Sequence, residues 1–407
     1  MKKLLLGSTA LAAAGLMSAS AMAAEPIKVS INGYYQWYFV LGGWDDNRIG
    51  PISGGVLPAK RDGRTDSIRQ EGEIWFNGIT KLDNGTNVGF RIELEAYEFG
   101  DQVDEHYLFF SGDWGRIEAG ATNGVMSKMV YGAPSALPGF GFISQNFNWH
   151  SGYTTNTSFS TAIQDDRNVG DANKISYFTP RFAGFQIGVS YTPEFQPGTN
   201  GNVCGATGGS STSFGACFKD NAGQWEHSIQ VAANYLATFN SVNLALYGAV
   251  MYADPEVKGA LLPIVASNNN IIGGQADDWW HWLVGINVTF QGFSIGGNVG
   301  RDNNGVKDAE TWMYTLGMTY TSGPWTVGGG WRHYKRDLPG FKDDKTHQFE
   351  LGGNYRIGPG IALAAGVVWN LVDGDKDLNG CFGGPVNACL DNRSDSWQFV
   401  LGTAITF

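Results

Sequence analysis

The last twelve residues of the chain, 396–407, read SWQFVLGTAITF. Counted back from Phe407, every second residue is apolar except Thr403, and the residues between them are small or polar except Val400. This period of two predicts a β-strand, because successive side chains of a strand point to opposite faces. A strand with one apolar and one polar face that ends on a large aromatic residue is typical of a barrel with lipid outside and a wet interior.

The first 23 residues predict a secretory signal that is removed from the mature protein. Lys2 and Lys3 form a basic start, residues 4–17 are apolar, and Ala21-Met22-Ala23 is an A-x-A cleavage site. The apolar run is too short for a spanning helix, which needs about 20 residues. We therefore expect cleavage after Ala23 and a mature chain of residues 24–407.

Composition favours strands over helices as the elements that cross a membrane. After the signal, no segment offers the run of about 20 apolar residues that a spanning helix needs. Of 407 residues, 58 are glycine, 13% are aromatic and only 16% are charged, whereas a soluble domain averages about 25% charged residues. High glycine and aromatic content with low charge is typical of a transmembrane barrel with tight turns and aromatic girdles.

The chain is acidic. Its formal net charge is −11, and without Lys2 and Lys3 the 25 remaining basic residues face 38 acidic ones, a difference of −13. Such a chain offers little to neutralise phosphates, so nucleic acid is not expected as a partner. An acidic lumen favours cations instead, while charge on external loops is screened beyond about 10 Å at ordinary salt.

Four cysteines form two local pairs, Cys204 with Cys217 and Cys381 with Cys389. Neither pair has the spacing or the neighbouring histidines of a metal site, so we expect no metal there. In an oxidising compartment two loop disulfides are the natural interpretation, and free thiols are the alternative. A disulfide that closes a loop of about a dozen residues stabilises by about 3 kcal/mol in the chain-entropy model and would stiffen an external loop.

Short turns and long loops alternate along the chain. Asp83-Asn84-Gly85 and Gly358-Pro359-Gly360 have hairpin chemistry, because they supply a positive or a preset φ. Between such turns lie alternating segments of about 9–11 residues, the length that a tilted strand needs to cross a bilayer. Counting them predicts an all-β fold, an antiparallel up-and-down transmembrane barrel of about 16 strands, in the size range of water-filled channels.

The longest connection, residues 123–171, is nearly uncharged and rich in aromatic residues. A structureless loop of this length in a compact domain calls for a functional reason. We expect it to fold into the barrel as a constriction loop that narrows the bore. Its acidic pair, Asp165 and Asp166, comes near its end beside Arg167.

Several segments, taken in order, resemble the general porins of Gram-negative bacteria, and most closely those of α-proteobacteria. They are INGYYQWYFV (31–40), GITKLDNGTNVGFRIELEAY (78–97), SGDWGRIEAGATNG (111–124), ANKISYFTPRFAGFQIGVSYT (172–192) and the terminal Phe407. Together with the signal they extend the resemblance over essentially the whole mature chain. Each motif is weak alone, and the ordered set is more specific.

The resemblance implies a homotrimer of 16-stranded barrels in the bacterial outer membrane, each with a pore narrowed by its third long loop. It also implies contact with outer-membrane lipid and lipopolysaccharide, and an assembly machinery that reads Phe407. The chain departs from the family at the tip of the loop. There Leu137-Pro138-Gly139-Phe140-Gly141 stands where the family carries an acidic cluster, which puts the usual transverse field across the pore in doubt.

Strand alternation identifies charged side chains that point inward. A charge on the lipid side at mid-bilayer costs roughly 2–4 kcal/mol for Arg or Lys, so the lumen is favoured. The hypothesis is that these residues line the constriction, and the alternative is that they form neutralised pairs away from its narrowest point. The candidate residues are Arg69, Glu71, Glu73, Arg91, Glu93, Glu95, Arg116, Glu118, Asp165, Asp166 and Arg167.

Aromatic residues near predicted strand ends suit the interfacial girdles of a membrane barrel. An aromatic slide for sugars along the bore is the alternative. The predicted girdle residues are Trp37, Tyr38, Trp279, Trp280, Trp312, Trp331, Trp369 and Trp397.

Enzyme motifs are lacking, since the six histidines are scattered and no GxSxG, HExxH or phosphate-binding glycine loop occurs. We therefore predict no enzyme, no cofactor and no metal. The sequence favours a general diffusion porin that passes small hydrophilic solutes and ions with weak cation selectivity. The alternatives are a substrate-selective channel, for example for sugars, and a structural or adhesin barrel.

Overall fold

The computed structural model describes residues 25–46, 65–96, 103–142, 169–195, 220, 222–262, 274–337, 344–373 and 394–407. Within these residues sixteen antiparallel strands close into one barrel, and β10 and β11 form a separate two-stranded sheet. The strands are β1 (Lys28–Asp46), β2 (Asp66–Lys81), β3 (Asn87–Glu95), β4 (Val103–Gly112), β5 (Gly115–Ala121), β6 (Asn173–Phe178), β7 (Phe185–Phe195), β8 (Trp225–Phe239), β9 (Val242–Pro255), β10 (Leu261–Leu262), β11 (Gly274–Gln275), β12 (Trp279–Phe290), β13 (Phe293–Asp302), β14 (Glu310–Ser322), β15 (Trp325–Asp337), β16 (Asp344–Gly358), β17 (Ile361–Asp373) and β18 (Ser394–Thr406).

The strands follow one another around the barrel in chain order, and β9 pairs with β12. The barrel closes where β1 pairs with β18. At this seam the backbone N–H of Phe407 donates to Gly33 O at 3.0 Å, and the Gly33 N–H donates to Phe407 O at 2.9 Å. A closed barrel leaves no strand edge unpaired, which is the condition for crossing a bilayer with strands. The predicted up-and-down barrel of about 16 strands is confirmed.

The inward and outward faces follow the sequence alternation. In β12 the side chains of Val284 and Ile286 are exposed on the outer surface, while His281 and Leu283 are buried inside the barrel. The same alternation runs through the other barrel strands and leaves a broad belt of exposed apolar side chains outside. Such a belt is stable only against hydrocarbon, because exposed apolar surface is unfavourable in water.

Tight turns join the strands at one end of the barrel. Two residues connect β8 with β9, and Asn240 there has a φ of 55°. Gly85 takes a φ of 84° between β2 and β3, a conformation that a side chain with a Cβ rarely adopts. This end is called the short-turn end below, and the opposite end carries the longer connections.

Two of the predicted girdle residues lie inside the barrel instead. Tyr38 and Trp279 are buried, with 0% and 2% of their surface exposed, whereas their neighbours Trp37 and Trp280 are exposed on the outer face. Adjacent aromatic residues in one strand must point to opposite faces. The prediction was therefore wrong for one member of each pair.

The inserted connection begins with a short helix, α1 (Val125–Lys128). None of the helices in the described part of the chain is long and apolar enough to span a membrane. Several sequence predictions fall outside the described residues, namely the signal of residues 1–23, the four cysteines Cys204, Cys217, Cys381 and Cys389, and the loop residues Asp165, Asp166 and Arg167.

Candidate functional site: the barrel interior

Residues 123–142, called the inner strap here, cross the inside of the barrel. Backbone carbonyls of the strap accept hydrogen bonds from inward side chains of the wall. These hydrogen bonds run from Tyr247 to Met126 O (2.5 Å), from Asn234 to Met129 O (3.0 Å), from Asn298 to Tyr131 O (2.9 Å), from Asn354 to Ala136 O (2.8 Å) and from Tyr38 to Pro138 O (2.8 Å). These bonds replace the ladder partners that an irregular buried backbone lacks.

The strap also packs its apolar side chains against the wall. Met126 and Phe140 are fully buried, and Leu137 has 2% of its surface exposed. The wall admits them because glycines lie beneath the strap. A Cβ added at Gly317 would lie 2.4 Å from the carbonyl oxygen of Pro134 in the strap, closer than real Cβ contacts. Close approach of strap and wall therefore requires residues without side chains at such positions.

A buried lysine joins the two ends of the inserted connection. The ammonium of Lys174 donates to the carbonyls of Thr122, Gly170 (2.7 Å) and Ala172 (2.8 Å), and only 3% of the residue is exposed. Thr122 precedes the strap, and Gly170 and Ala172 lie where the chain returns to the wall. Three carbonyls around one ammonium satisfy its three donors, which a buried charge requires. Lys174 thus acts as a latch at the base of the loop.

Lys128 of α1 ties the strap to the wall. Its ammonium lies 2.6 Å from Glu118 and 3.9 Å from Glu105, and it also donates to Thr122 at 2.6 Å. Burial by itself lowers the pKa of Lys128, but the two carboxylates outweigh burial and the net shift is upward. The lysine is therefore charged at neutral pH.

The inward faces of β2 to β5 carry most of the predicted site residues, and we call this part of the wall the charged sector. Arg91 pairs with Glu93 and lies over the ring of Trp75 at 4.1 Å. Arg116 pairs with Glu118 at 2.6 Å. The sector comprises Arg69, Glu71, Glu73, Arg91, Glu93, Glu95, Asp104, Glu105, Arg116 and Glu118.

Hydrogen bonds fix the carboxylate of Glu73 at the edge of this sector. It accepts from the Tyr34 hydroxyl at 2.7 Å and from the Trp75 indole at 2.6 Å. Arg69 lies on the inward phase opposite Tyr38 and is exposed. Glu71 is half-buried on the same phase. The structure thus brings the eight predicted wall residues into one sector, and whether they line the narrowest point stays a prediction.

Asp104 and Glu105 belong to the same sector and were missed by the sequence reasoning. Ile92 pairs with His106 and Leu94 with Val103, so Glu93 alone faces two residues of β4. Such a β-bulge turns an extra side chain inward. Simple alternation would point one of these acids at lipid. An acid on a lipid-facing phase was the signal that a bulge had to occur there.

Carboxylates crowd together at the bulge. One oxygen each of Glu73, Glu95 and Asp104 lies within 4.8 Å of the others. Carboxylates this close concentrate negative charge at one place on the inner wall. The arrangement can attract cations from solution.

The opposite side of the interior is filled with apolar side chains, and we call it the packed sector. The rings of Trp225 and Trp279 meet edge to face at 4.8 Å. The Trp225 indole donates to Asp277 O at 3.1 Å and that of Trp279 to Asp302 at 2.6 Å. Its wall residues include Phe195, Trp225, Met251, Trp279, Leu283 and Met313, packed with Val125, Met126 and Met129 of the strap.

Two clefts lie between the strap and the short-turn end. The charged cleft has a volume of about 350 Å³ and is lined by Arg116, Glu118 and Lys128. The neutral cleft has a volume of about 390 Å³ and is lined by Tyr131 together with Thr238, Asn243, Asn287 and Thr289. Both volumes lie within the roughly 300–1,000 Å³ of small-molecule sites.

A closed sixteen-stranded barrel with a charged interior sector and an apolar belt outside is the architecture of a channel through a membrane. A family model described as Gram-negative porin matches residues 7–375. The chain belongs to the Gram-negative porin family. The predicted family is thereby confirmed, and family and fold together indicate a channel of the outer membrane rather than an enzyme.

Solved porins share this fold at low sequence identity. An anion-selective porin from Comamonas acidovorans is 16% identical, with a TM-score of 0.58 over 94% of this porin and 100% of that chain. OmpT of Vibrio cholerae is 12% identical, with a TM-score of 0.55 over 96% and 100% of the chains. OmpF of Salmonella typhi in complex with daunomycin is 12% identical, with a TM-score of 0.55 over 93% and 98%.

One curated relative matches part of the porin sequence. It is an uncharacterized protein of Rickettsia bellii, 26% identical over 230 residues. The match spans 50% of each of the two chains. It therefore carries no statement about what the whole protein transports.

Proposed function

We propose that this porin is a general diffusion channel for small hydrophilic solutes and ions, with a weak preference for cations. The charged sector supports the preference. Together with Lys128 it presents seven acids against four bases, namely Glu71, Glu73, Glu93, Glu95, Asp104, Glu105 and Glu118 against Arg69, Arg91, Arg116 and Lys128.

The preference is weak because three of the four bases lie in ion pairs with acids of the sector. Arg91 with Glu93, Arg116 with Glu118 and Lys128 with Glu118 form ion pairs. Two unit charges about 4 Å apart interact by about 1–4 kcal/mol between bulk-water and near-surface dielectric limits, and a net surplus of a few acids acts on passing ions at longer range and contributes less. The Comamonas acidovorans porin is described as anion-selective. That chain is 16% identical to this porin and shares its fold, so the ion selectivity of each protein depends on its own side chains.

Conductance in planar lipid bilayers tests this proposal. We expect large, stepwise, ohmic currents and a reversal potential of cation-preferring sign under a salt gradient. If the folded barrel carries no current, the channel proposal is wrong, and a structural or adhesin barrel with a plugged lumen is favoured. Open channels that prefer anions at low salt would contradict only the selectivity.

We also propose that the barrel assembles as a homotrimer in the outer membrane, in contact with lipid and lipopolysaccharide. One solved OmpT of Vibrio cholerae, 12% identical with a TM-score of 0.55, is described as a trimer form. The exposed apolar belt offers surface both to lipid and to a second copy. The mass of the extracted complex, measured by sedimentation with the detergent matched in density, separates a trimer from a monomer.

Phe407 is proposed as an assembly signal rather than a part of the pore. Its side chain is 56% exposed, and its backbone pairs with Gly33 at the seam. Deletion of Phe407 should lower the amount of folded barrel in the membrane and leave the unit conductance unchanged. Phe407→Tyr is the matched control, since it keeps a terminal aromatic ring. Normal abundance after the deletion would refute the assignment.

Cleavage after Ala23 and the disulfides Cys204–Cys217 and Cys381–Cys389 remain proposals from the sequence. The intact mass of the protein from outer membranes tests both. It should correspond to residues 24–407 less a pair of hydrogens for each disulfide. A mass that includes residues 1–23, or one that shows free thiols, would contradict the respective proposal.

A further inference from the structure

A row of hydroxyl and amide groups crosses several strands at one level, and Thr238, Asn243 and Thr289 of this row line the neutral cleft. Thr238 lies opposite Asn243, Asn243 opposite Thr289, and Thr289 opposite Ser294. Ser294 in turn lies opposite Thr319 of β14. All five alternate onto the inward phase, and neighbouring strands lie about 4.8 Å apart. We call these five residues the polar ladder.

Members of the ladder bond to one another and keep further hydrogen-bonding capacity. The Thr238 hydroxyl donates to Asn243 Oδ1 at 2.8 Å, which leaves the Asn243 amide N–H groups for other acceptors. Asn287, beside the ladder, exchanges hydrogen bonds with Ser294 at 3.0 Å and 3.2 Å. A threonine or serine hydroxyl can donate once and accept twice, so the row can serve a ligand with several hydroxyls.

Tyr131 faces this row from the strap. Its carbonyl accepts from Asn298 at 2.9 Å, and the next carbonyl, of Gly132, accepts from Asn287 at 3.0 Å. The strap backbone is therefore held at Tyr131 and at the next residue. Tyr131 lines the cleft and is partly buried against the packed sector. An aromatic ring supplies a flat apolar surface with a polar tip.

The residues that line the neutral cleft carry no charge, in contrast to the charged cleft with Arg116, Glu118 and Lys128. A carboxylate, ammonium or phosphate entering the neutral cleft would lose water without gaining a counter-charge, which is unfavourable. A ligand with many hydroxyls and an apolar C–H face meets both the row of polar groups and the ring. Sugars have this chemistry.

We propose that the neutral cleft is a binding site for uncharged sugars at the short-turn end of the lumen. This proposal rests on the proposed channel function, because the cleft lies inside the barrel. It adds a selective step to a pathway that otherwise sorts solutes by size and charge.

Sucrose is the probe, and a polyethylene glycol of the same hydrodynamic size is the control solute. In single-channel recordings the reduction of the current should saturate with increasing sucrose concentration. The polymer should reduce the current in proportion to its concentration. Tyr131→Ala should raise the half-saturating sucrose concentration about tenfold, the order of one lost aromatic contact. Tyr131→Phe should keep it within about twofold.

Tyr235→Ala is the matched control variant. It is the same substitution, but Tyr235 lies on the lipid side of β8, where its ring packs on Phe185. It should leave the sucrose curve unchanged. Equal, linear effects of sucrose and polymer, or a Tyr131→Ala channel with the wild-type sucrose curve, would overturn the proposal. Equilibrium binding of radiolabelled sucrose to the detergent-solubilised barrel reports on the cleft even if the barrel does not conduct. Failure of the channel and failure of the site are thus distinguishable.

Discussion

The charged sector and the packed sector are built from the same alternating strands, yet they fill the lumen in opposite ways. On β2 to β5 the inward positions carry Glu and Arg, and their ion pairs need water around the remaining polar atoms. Between β8 and β14 the inward positions beside the strap include Trp225, Met251 and Trp279, which pack against it, while the inward positions nearer the short-turn end carry the polar ladder. Alternation decides which side chains point inward, and their chemistry decides whether the interior there is wet or dry.

The strap has a different role at each sector. Met126 and Met129 complete the apolar cluster of the packed sector. Lys128, which lies between these two methionines in the sequence, pairs with Glu118 of the charged sector. One segment of chain therefore excludes water on one side and balances charge on the other. We therefore expect ions to pass along the charged sector and not through the packed sector.

The largest effect is expected from opening the packed sector with Trp225→Ala. Removal of a fully buried tryptophan costs about 3–5 kcal/mol in the free energy of unfolding, through lost burial and the cavity left behind. Water entering that cavity should also raise the unit conductance. Urea unfolding in lipid vesicles and single-channel recordings measure the two effects.

Trp280→Ala is the control for that change, because Trp280 is 53% exposed on the outer face of β12. It should cost much less stability and leave the conductance as it is. Equal losses for the two variants would mean that the packed sector is no more tightly built than the lipid-facing surface.

A smaller effect is expected from releasing the latch between the sectors with Lys174→Met. The substitution keeps the length of the side chain and removes the ammonium that bonds Thr122, Gly170 and Ala172. Loss of charge-assisted hydrogen bonds of this kind costs about 1.5–3 kcal/mol. The loop should become less well held, so open-channel current noise should rise along with the loss of stability.

Lys307→Met offers the matched control, since Lys307 is exposed in the connection after β13. This variant should have the open-channel current noise and the stability of the wild type. If the Lys174→Met channels show the same current noise and the same stability as this control, Lys174 does not hold the loop.

The charged sector is tested by replacing Glu93 and Glu95 together with Gln. Removing two acids of the surplus should shift the zero-current potential toward anions and lower the cation-to-anion permeability ratio roughly two- to fivefold, which corresponds to about 1 kcal/mol or less. Glu310→Gln is the control, because Glu310 faces outward and pairs with Arg301. An unchanged potential in the double variant would mean that these two side chains do not bias the ion current.

The smallest effect is expected from salt alone. Raising the salt concentration from about 0.1 M to 1 M shortens the Debye length from about 10 Å to 3 Å. The cation preference of the wild type should fade over this range, because lumen charges then act only on ions in contact. A preference that persists at high salt would point to a tight ion site instead of a diffuse surplus of charge.

The barrel, the approximate number of its strands and the phase of most side chains could be predicted from the amino-acid sequence. Period-two alternation, as in β12 and β18, is a local property that survives folding because each strand must separate lipid from the lumen. The short turns were readable for the same reason, since Asn and Gly at positions such as Asn240 and Gly85 have conformations that few residues adopt. The eight charged wall positions followed directly from the phase.

The contacts of each inward side chain depend on the folded barrel. The bulge that turns Asp104 and Glu105 inward depends on how β3 and β4 pair. The bonds of Lys174 join residues 122 and 170, far apart along the chain. The burial of Tyr38 beneath Pro138 depends on a strap that crosses the lumen. Such contacts join segments distant in sequence, and no local pattern encodes them, because they arise only once the barrel has closed around its inserted loop.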